Sequence, residues 1–229
     1  PGLSGEKRRN GMPEQTKSAF VAIVGRPNVG KSSLLNAMVG RKVAIVSDKP
    51  QTTRTRITGV LTQDEVQLVF IDTPGLHKPK NKLGDYMVKQ VTDSVGDVDC
   101  AVFVTDPFGD ITESELALIE NIKELHLPAI LVINKIDALA NKEDMVKKMV
   151  AISKLYDFEQ VVPISVREKD GTDLLLSLIQ QQAQEGPHFF PNDTLTDQPE
   201  KVIVAEIIRE KVLRNMRDEI PHGTAVVIE

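Results

Sequence analysis

The 229-residue chain has one cysteine, no tryptophan, two tyrosines and only 4% aromatic residues. A lone cysteine excludes an internal disulfide framework and fits a reducing compartment. Cys100 lies in the apolar run Val98-Asp99-Cys100-Ala101-Val102-Phe103-Val104 and reads as a core thiol rather than a reactive one. No uninterrupted apolar stretch approaches the roughly 20 residues of a membrane-spanning helix, and no apolar signal core is present. Nor does either charge dominate. With 28 Lys and Arg against 33 Asp and Glu, the formal net charge is -5, so nucleic-acid binding would need a local basic patch. What remains is a globular chain, 41% apolar, expected in the cytoplasm and able to bury a core.

Residues 1–17 are polar, contain the Lys7-Arg8-Arg9 run and show no periodicity, which predicts a disordered tail. From Phe20 onward, short β-rich apolar runs alternate with helix-period segments, the arrangement of an α/β fold with a mostly parallel sheet. Strands are expected at Phe20–Val24, Ile57–Leu61, Val66–Ile71, Cys100–Val104, Ala129–Ile133 and Gln160–Ile164. Helices are expected at Lys31–Val39, Leu83–Val95, Glu113–Leu125, Lys142–Leu155 and Thr172–Gln182. Only Gln63-Asp64-Glu65 separates the second and third strands, too short a link for a crossover, so this pair is antiparallel and one edge strand is reversed. The first domain thus covers 18–184. A Pro- and Gly-containing linker spans 185–197, and 198–229 begins a second domain, opening on a helix whose Val204, Ile207, Ile208 and Val212 share a face. A strand is expected at Thr224–Glu229.

Three polar clusters sit at the ends of expected strands. Gly25-Arg26-Pro27-Asn28-Val29-Gly30-Lys31-Ser32 has the G-x-x-x-x-G-K-[ST] pattern between a strand and a helix, and Ser33 follows. Glycines let backbone N–H groups turn around a phosphate, the helix N-terminus adds positive potential, and Lys31 supplies a mobile cation to the β/γ oxygens. Ser32 would ligate Mg²⁺. Asp72 ends the third strand and fits the same metal shell; Gly75, in Asp72-Thr73-Pro74-Gly75, would let its N–H approach a γ-phosphate. Asn134-Lys135-Ile136-Asp137 follows the fifth strand, and the Asp137 carboxylate can accept two hydrogen bonds from the N1–H and N2 amino group of guanine. Adenine would leave that carboxylate unpaired. The stem of Lys135 can cover the base, and Ser165 can present backbone near its O6. Within Ser47–Arg54, Thr53 rather than Thr52 would complete the metal shell when the loop folds over a nucleotide.

The ordered set GRPNVGKS, PQTTR, DTPG, NKID and PIS resembles the TrmE–Era–EngA family of translation-factor-related GTPases. The segment GPHFFP to TDQPE and AEIIREK is similar to its Era branch. The resemblance implies a Ras-like P-loop GTPase domain followed by a KH RNA-binding domain, incomplete in this chain. It further implies GTP and GDP as ligands, with small-subunit rRNA and the 30S-type particle as partners of the whole protein. A monomer, no DNA partner, and peripheral association with the inner face of the cell membrane complete that picture. Where the family carries alanine after the serine of the base loop, this chain has Val166. The only G-x-x-G run, the clamp of a KH domain, is Gly2–Gly5, outside any helix-turn-helix setting. Leu76 occupies the place of a water-orienting glutamine, implying slow hydrolysis, and resemblance assigns Asn28 to a K⁺ beside the β/γ oxygens. Lys31, Thr53, Gly75 and Asn28 are therefore the expected catalytic set. An ATPase or kinase on the same phosphate cradle, and an RNA-binding module with a vestigial pocket, are the competing readings.

Overall fold

A computed structural model describes residues 15–46, 57–72, 98–215 and 226–227. The expected helix at Leu83–Val95 lies outside them.

Among the described residues seven strands form one sheet: β1 (Lys17–Val24), β2 (Ile57–Gln63), β3 (Val66–Asp72), β4 (Cys100–Thr105), β5 (Ala129–Ile133), β6 (Gln160–Pro163) and β7 (Gln184–Glu185). Their order is β2-β3-β1-β4-β5-β6, with β7 on the start of β1. Strands β3, β1, β4, β5 and β6 run parallel; β2 is antiparallel to β3, as the short turn Asp64-Glu65 dictates. Among the described residues five helices accompany the sheet: α1 (Lys31–Val39), α2 (Glu113–Glu124), α3 (Lys142–Ser153), α4 (Thr172–Gln180) and α5 (Glu200–Asn215).

The parallel strands are apolar almost without interruption because both faces are covered. Along β1, Ala19, Val21 and Ile23 pack with Leu34, Leu35 and Met38 of α1 and Leu175 and Ile179 of α4. The alternate residues Ala22 and Val24 pack with Leu118, Ile119 and Ile122 of α2 and Ile152 of α3. Cys100 is fully buried in the first of these layers, and burial pushes its thiol up to about 12, which keeps it protonated and inert.

Two boundaries differ from expectation. The last residues of the expected tail are ordered: Lys17 belongs to β1, and Thr16 exchanges hydrogen bonds with Gly186, its carbonyl accepting at 3.0 Å and its hydroxyl donating at 2.8 Å. Their partner is the start of the expected linker, which pairs as β7 instead of leaving the domain.

The rest of that linker is pinned along the β2–β3 edge. The Gln67 carboxamide, fully buried, accepts from the amides of Phe189 and Phe190 at 2.8 and 2.9 Å and donates to the Phe190 carbonyl and Thr62 hydroxyl. Phe189 meets the Phe20 ring edge-on at 4.7 Å, and Phe190 covers Phe20, Val69 and Ile71. Thr196 bridges to Gly59 on β2. A polar residue amid an apolar strand persists here because every polar atom of its side chain has a partner.

Helix α5 does not turn its apolar face fully inward. Val204 and Ile208 are 46% and 42% exposed and Ile207 and Val212 only half-buried, whereas Arg209 and Glu210 are buried. The inward face carries Glu210 because its carboxylate meets the Lys42 ammonium and accepts from the Val46 amide at 3.2 Å, so a charged pair rather than an apolar stripe seats the helix. Val226 and Val227, the described part of the expected last strand, form none.

Candidate functional site

Because β1, β3, β4, β5 and β6 run the same way, their C-terminal ends lie along one rim, where open α/β sheets bind ligands. The loop from β1 into α1 has φ of 156° at Gly25, 64° at Asn28 and 102° at Gly30. Two of its glycines are also required by space. A Cβ on Gly25 would lie 2.2 Å from the Val104 carbonyl oxygen, and one on Gly30 would lie 2.3 Å from Nδ2 of Asn134.

Lys31 turns back into this loop, its buried ammonium donating to the carbonyls of Gly25 and Arg26 at 2.9 Å each. Burial pulls its pKa down, with Asp72 opposing and Arg26 assisting. Beside it, Ser32 Oγ donates to Asp72 Oδ2 at 2.7 Å. Asp72 is fully buried, and its Oδ1 has no hydrogen-bond partner. Desolvation raises its carboxyl to about 6, against the opposing pull of Lys31 and Ser32. A buried carboxylate with one orphaned oxygen beside a serine hydroxyl suits a hard, oxygen-seeking divalent cation such as Mg²⁺, whose remaining ligands come from phosphate and water. Among the described residues no group of three or more His, Cys, Asp or Glu offers an all-protein cage.

The base-side loops meet the phosphate loop through Asn134. Its Nδ2 donates to the Val29 carbonyl at 2.8 Å, its Oδ1 accepts from the Val166 amide at 3.1 Å, and its own amide donates to Thr105. Lys135, at φ 68°, stretches to the Asn28 carbonyl at 2.5 Å. Asp137 lies at the middle of the 3-10 turn Ile136–Ala138; its Oδ1 accepts from Ser165 Oγ at 2.6 Å and its Oδ2 lies 3.7 Å from Arg167. The expectation for Ser165 needs amendment. Its N–H and carbonyl are engaged with Asp170 at 3.0 Å each, so the hydroxyl, aligning Asp137 and receiving the Glu168 amide, is the group it offers.

The structure thus brings together Gly25, Arg26, Pro27, Asn28, Val29, Gly30, Lys31, Ser32, Asp72, Asn134, Lys135, Asp137, Ser165 and Val166, with Ser33 following in α1. Thr53 and Gly75 lie outside the described residues. Sequence reasoning missed Asp106 and Glu115. Asp106 directly follows β4, the same strand-end position as Asp72 and Asn134, and Thr112-Glu113-Ser114-Glu115 is a capping box that the structure realises at the start of α2.

The family model described as "50S ribosome-binding GTPase" matches residues 20–135. GTPase Era of Clostridioides difficile strain 630 is 52% identical over 217 residues, covering 93% of this chain and 72% of that protein. GTPase Era of Clostridium perfringens strain 13 is 48% identical, covering 92% and 71%. The chain belongs to the Era family of GTPases. A crystal structure of Era in complex with MgGDPNP and nucleotides 1506–1542 of 16S ribosomal RNA superposes with a TM-score of 0.79 at 38% identity, covering 90% of this chain and 70% of that one. An Aquifex aeolicus Era variant bound to GDP and AlF4⁻ gives the same TM-score and identity. The fold is therefore the Ras-like P-loop GTPase fold, and the chain, like its Era relatives, is a GTP-binding and GTP-hydrolysing protein.

A buried carboxylate raised from 3.8 to about 6 destabilises the fold wherever it is ionised. Above pH 6 both folded and unfolded chains carry the charge and the full cost, about 2–3 kcal/mol, is borne. Between pH 6 and 3.8 the folded chain holds a proton the unfolded one lacks, and the cost fades. Asp72→Asn is therefore expected to be more stable than the wild type by roughly that amount at pH 7.5 in magnesium- and nucleotide-free buffer, converging near pH 4. Urea denaturation across that range checks it; equal midpoints at pH 7.5 would contradict it.

Proposed function

We propose that the rim is a guanine-nucleotide site in which the phosphate loop, Gly25 to Ser33, holds the phosphates, and Asn134, Lys135, Asp137, Ser165 and Val166 hold the base. The observation that carries the reading is the Asp137 carboxylate, aligned by Ser165 Oγ at 2.6 Å in a loop that Asn134 ties to the phosphate loop. A carboxylate so oriented matches a purine bearing an N1 proton and an exocyclic amine on C2.

In this reading Lys31 exchanges its loop carbonyls for the β/γ oxygens, countering charge that spreads over the transferred phosphoryl group. Ser32 and Asp72, with Thr53, would hold Mg²⁺, which when bound neutralises charge between the β- and γ-phosphates. Asp72 would hold the ion in its ionised form, the form that burial disfavours by raising the carboxyl to about 6. Gly75 senses the γ-phosphate and orders the loop that follows it. Asn28, at φ 64° in the phosphate loop, would hold K⁺ in place of an arginine finger, supported by family resemblance.

The whole protein is proposed to switch between GTP and GDP states during small-subunit maturation, supported by the Era relative that binds 16S rRNA together with MgGDPNP. The division proposed is a GTPase domain through 184, a connecting segment 185–197 and, from 198, the start of a KH-type RNA-binding domain. Among the described residues no helix is long and apolar enough to cross a membrane. A cytoplasmic monomer is proposed, with peripheral membrane association carried by resemblance alone.

Asp137→Asn is expected to weaken GTP binding at least about 100-fold and to admit xanthine nucleotides, whose C2 carbonyl pairs with the new amide. Fluorescent-nucleotide titration reads both changes, and an adenine site would show neither. For Asn28, single-turnover phosphate release is expected to be at least about tenfold faster in K⁺ than in Na⁺; equal rates remove the K⁺ assignment.

A further inference from the structure

Behind the phosphate loop runs a row of charged side chains, and three of them, Asp106, Glu115 and Lys148, have no task in the site described above. The charges in the row alternate in sign. Lys148 Nζ of α3 lies 3.6 Å from Glu115 Oε2 of α2, and Glu115 Oε1 lies 3.6 Å from Arg26 Nε. Arg26 Nη2 is 2.5 Å from Asp106 Oδ1, and Asp106 Oδ2 is 3.9 Å from Lys135 Nζ, which donates onward to the Asn28 carbonyl. The row starts in the outer helix layer and ends in both nucleotide loops.

Asp106 is its junction. It is only 5% exposed and serves both loops with separate oxygens, Oδ1 taking Arg26 and, at 3.3 Å, the Phe108 amide, while Oδ2 faces Lys135. Arg26 is itself a phosphate-loop residue whose carbonyl accepts from Lys31. A side chain anchored by its guanidinium therefore holds in place a loop carbonyl that Lys31 grips before it turns to a nucleotide. Glu115, fully buried and held below the usual carboxylate range by Thr105, Thr112 and Lys148 against the cost of burial, backs the guanidinium from the other side.

A buried ion-pair row is weak evidence for stability, because desolvation offsets most of its attraction. Its geometric consequence is what distinguishes it: one carboxylate sets the spacing between the loop for phosphate and the loop for the base. We propose that Asp106 is a positioning residue for nucleotide binding, acting through Arg26 and Lys135 to hold the two loops at the separation a guanine nucleotide spans. This rests on the reading of the rim as a guanine-nucleotide site. None of the contacts involves a γ-phosphate, so they serve GTP and GDP alike and amount to uniform binding, which governs KM and leaves kcat alone.

The test uses the full chain with Asp106→Asn, Arg26→Met, Arg26→Lys and the Asp106→Asn/Arg26→Met double variant, each checked by circular dichroism for folding. Fluorescent GDP and GTP analogues report affinity, and steady-state turnover separates KM from kcat. Asp106→Asn and Arg26→Met are each expected to raise both dissociation constants about 10- to 100-fold, with KM rising in step and kcat within about twofold. Arg26→Lys, which keeps the charge, is expected to lose less than Arg26→Met, and the double variant to lose no more than the worse single one, as residues sharing one interaction do. Folded single variants with wild-type affinity would overturn the proposal, as would additive losses or a fall in kcat at unchanged KM. Should Asp106→Asn not fold, the two Arg26 variants decide. A wild-type chain that binds neither nucleotide would instead sink the reading of the site itself.

Discussion

The carboxamide of Asn134 is the tie on which the arrangement of the site depends. It is buried, it donates to Val29 in the phosphate loop, and it accepts from Val166 in the loop that follows β6. A planar amide with a donor at one end and an acceptor at the other fixes two loops at once, and neither partner is free to drift while both bonds hold. The close fit of Gly30, where a Cβ would strike Asn134 Nδ2, belongs to the same joint. Loops that would be mobile alone thus form one rigid rim, and preorganisation of this kind lets binding energy go to the ligand rather than to ordering the protein.

Much of this was legible in the sequence because strand ends announce themselves. An apolar run stops abruptly at Gly25, Asp72, Asn134 and Ser165, and in a parallel sheet every such stop falls on the same side. The spacing of Gly25, Gly30 and Lys31 carried the phosphate loop, and the short turn between β2 and β3 carried the reversed edge strand. Helix α1 was bounded by residues, Gly30 and Gly40, that take left-handed conformations at its two ends.

Other parts were not legible, for reasons that are physical. Asp106 and Arg26 stand 80 residues apart, and no local pattern couples a charge in one loop to a charge in another. Gln67 reads as an interruption in an apolar strand until Phe189 and Phe190 supply its partners from a segment that composition marks as a linker. Periodicity in α5 identified an apolar face but not which way it turns. Glu210 decided that by meeting Lys42 and the Val46 amide, and the exposed Val204 and Ile208 follow from it. In each case a long-range polar contact decided the arrangement, and such contacts are visible only once the chain is folded.

The account's central claim is that these loops form one site that grips phosphate and recognises guanine together. Calorimetric titration of the folded chain in magnesium buffer with GDP and, separately, ADP tests it most directly. One GDP bound per chain, with no detectable heat from ADP at the same concentrations, is the predicted result. Comparable heats from the two nucleotides, or none from GDP, would contradict it.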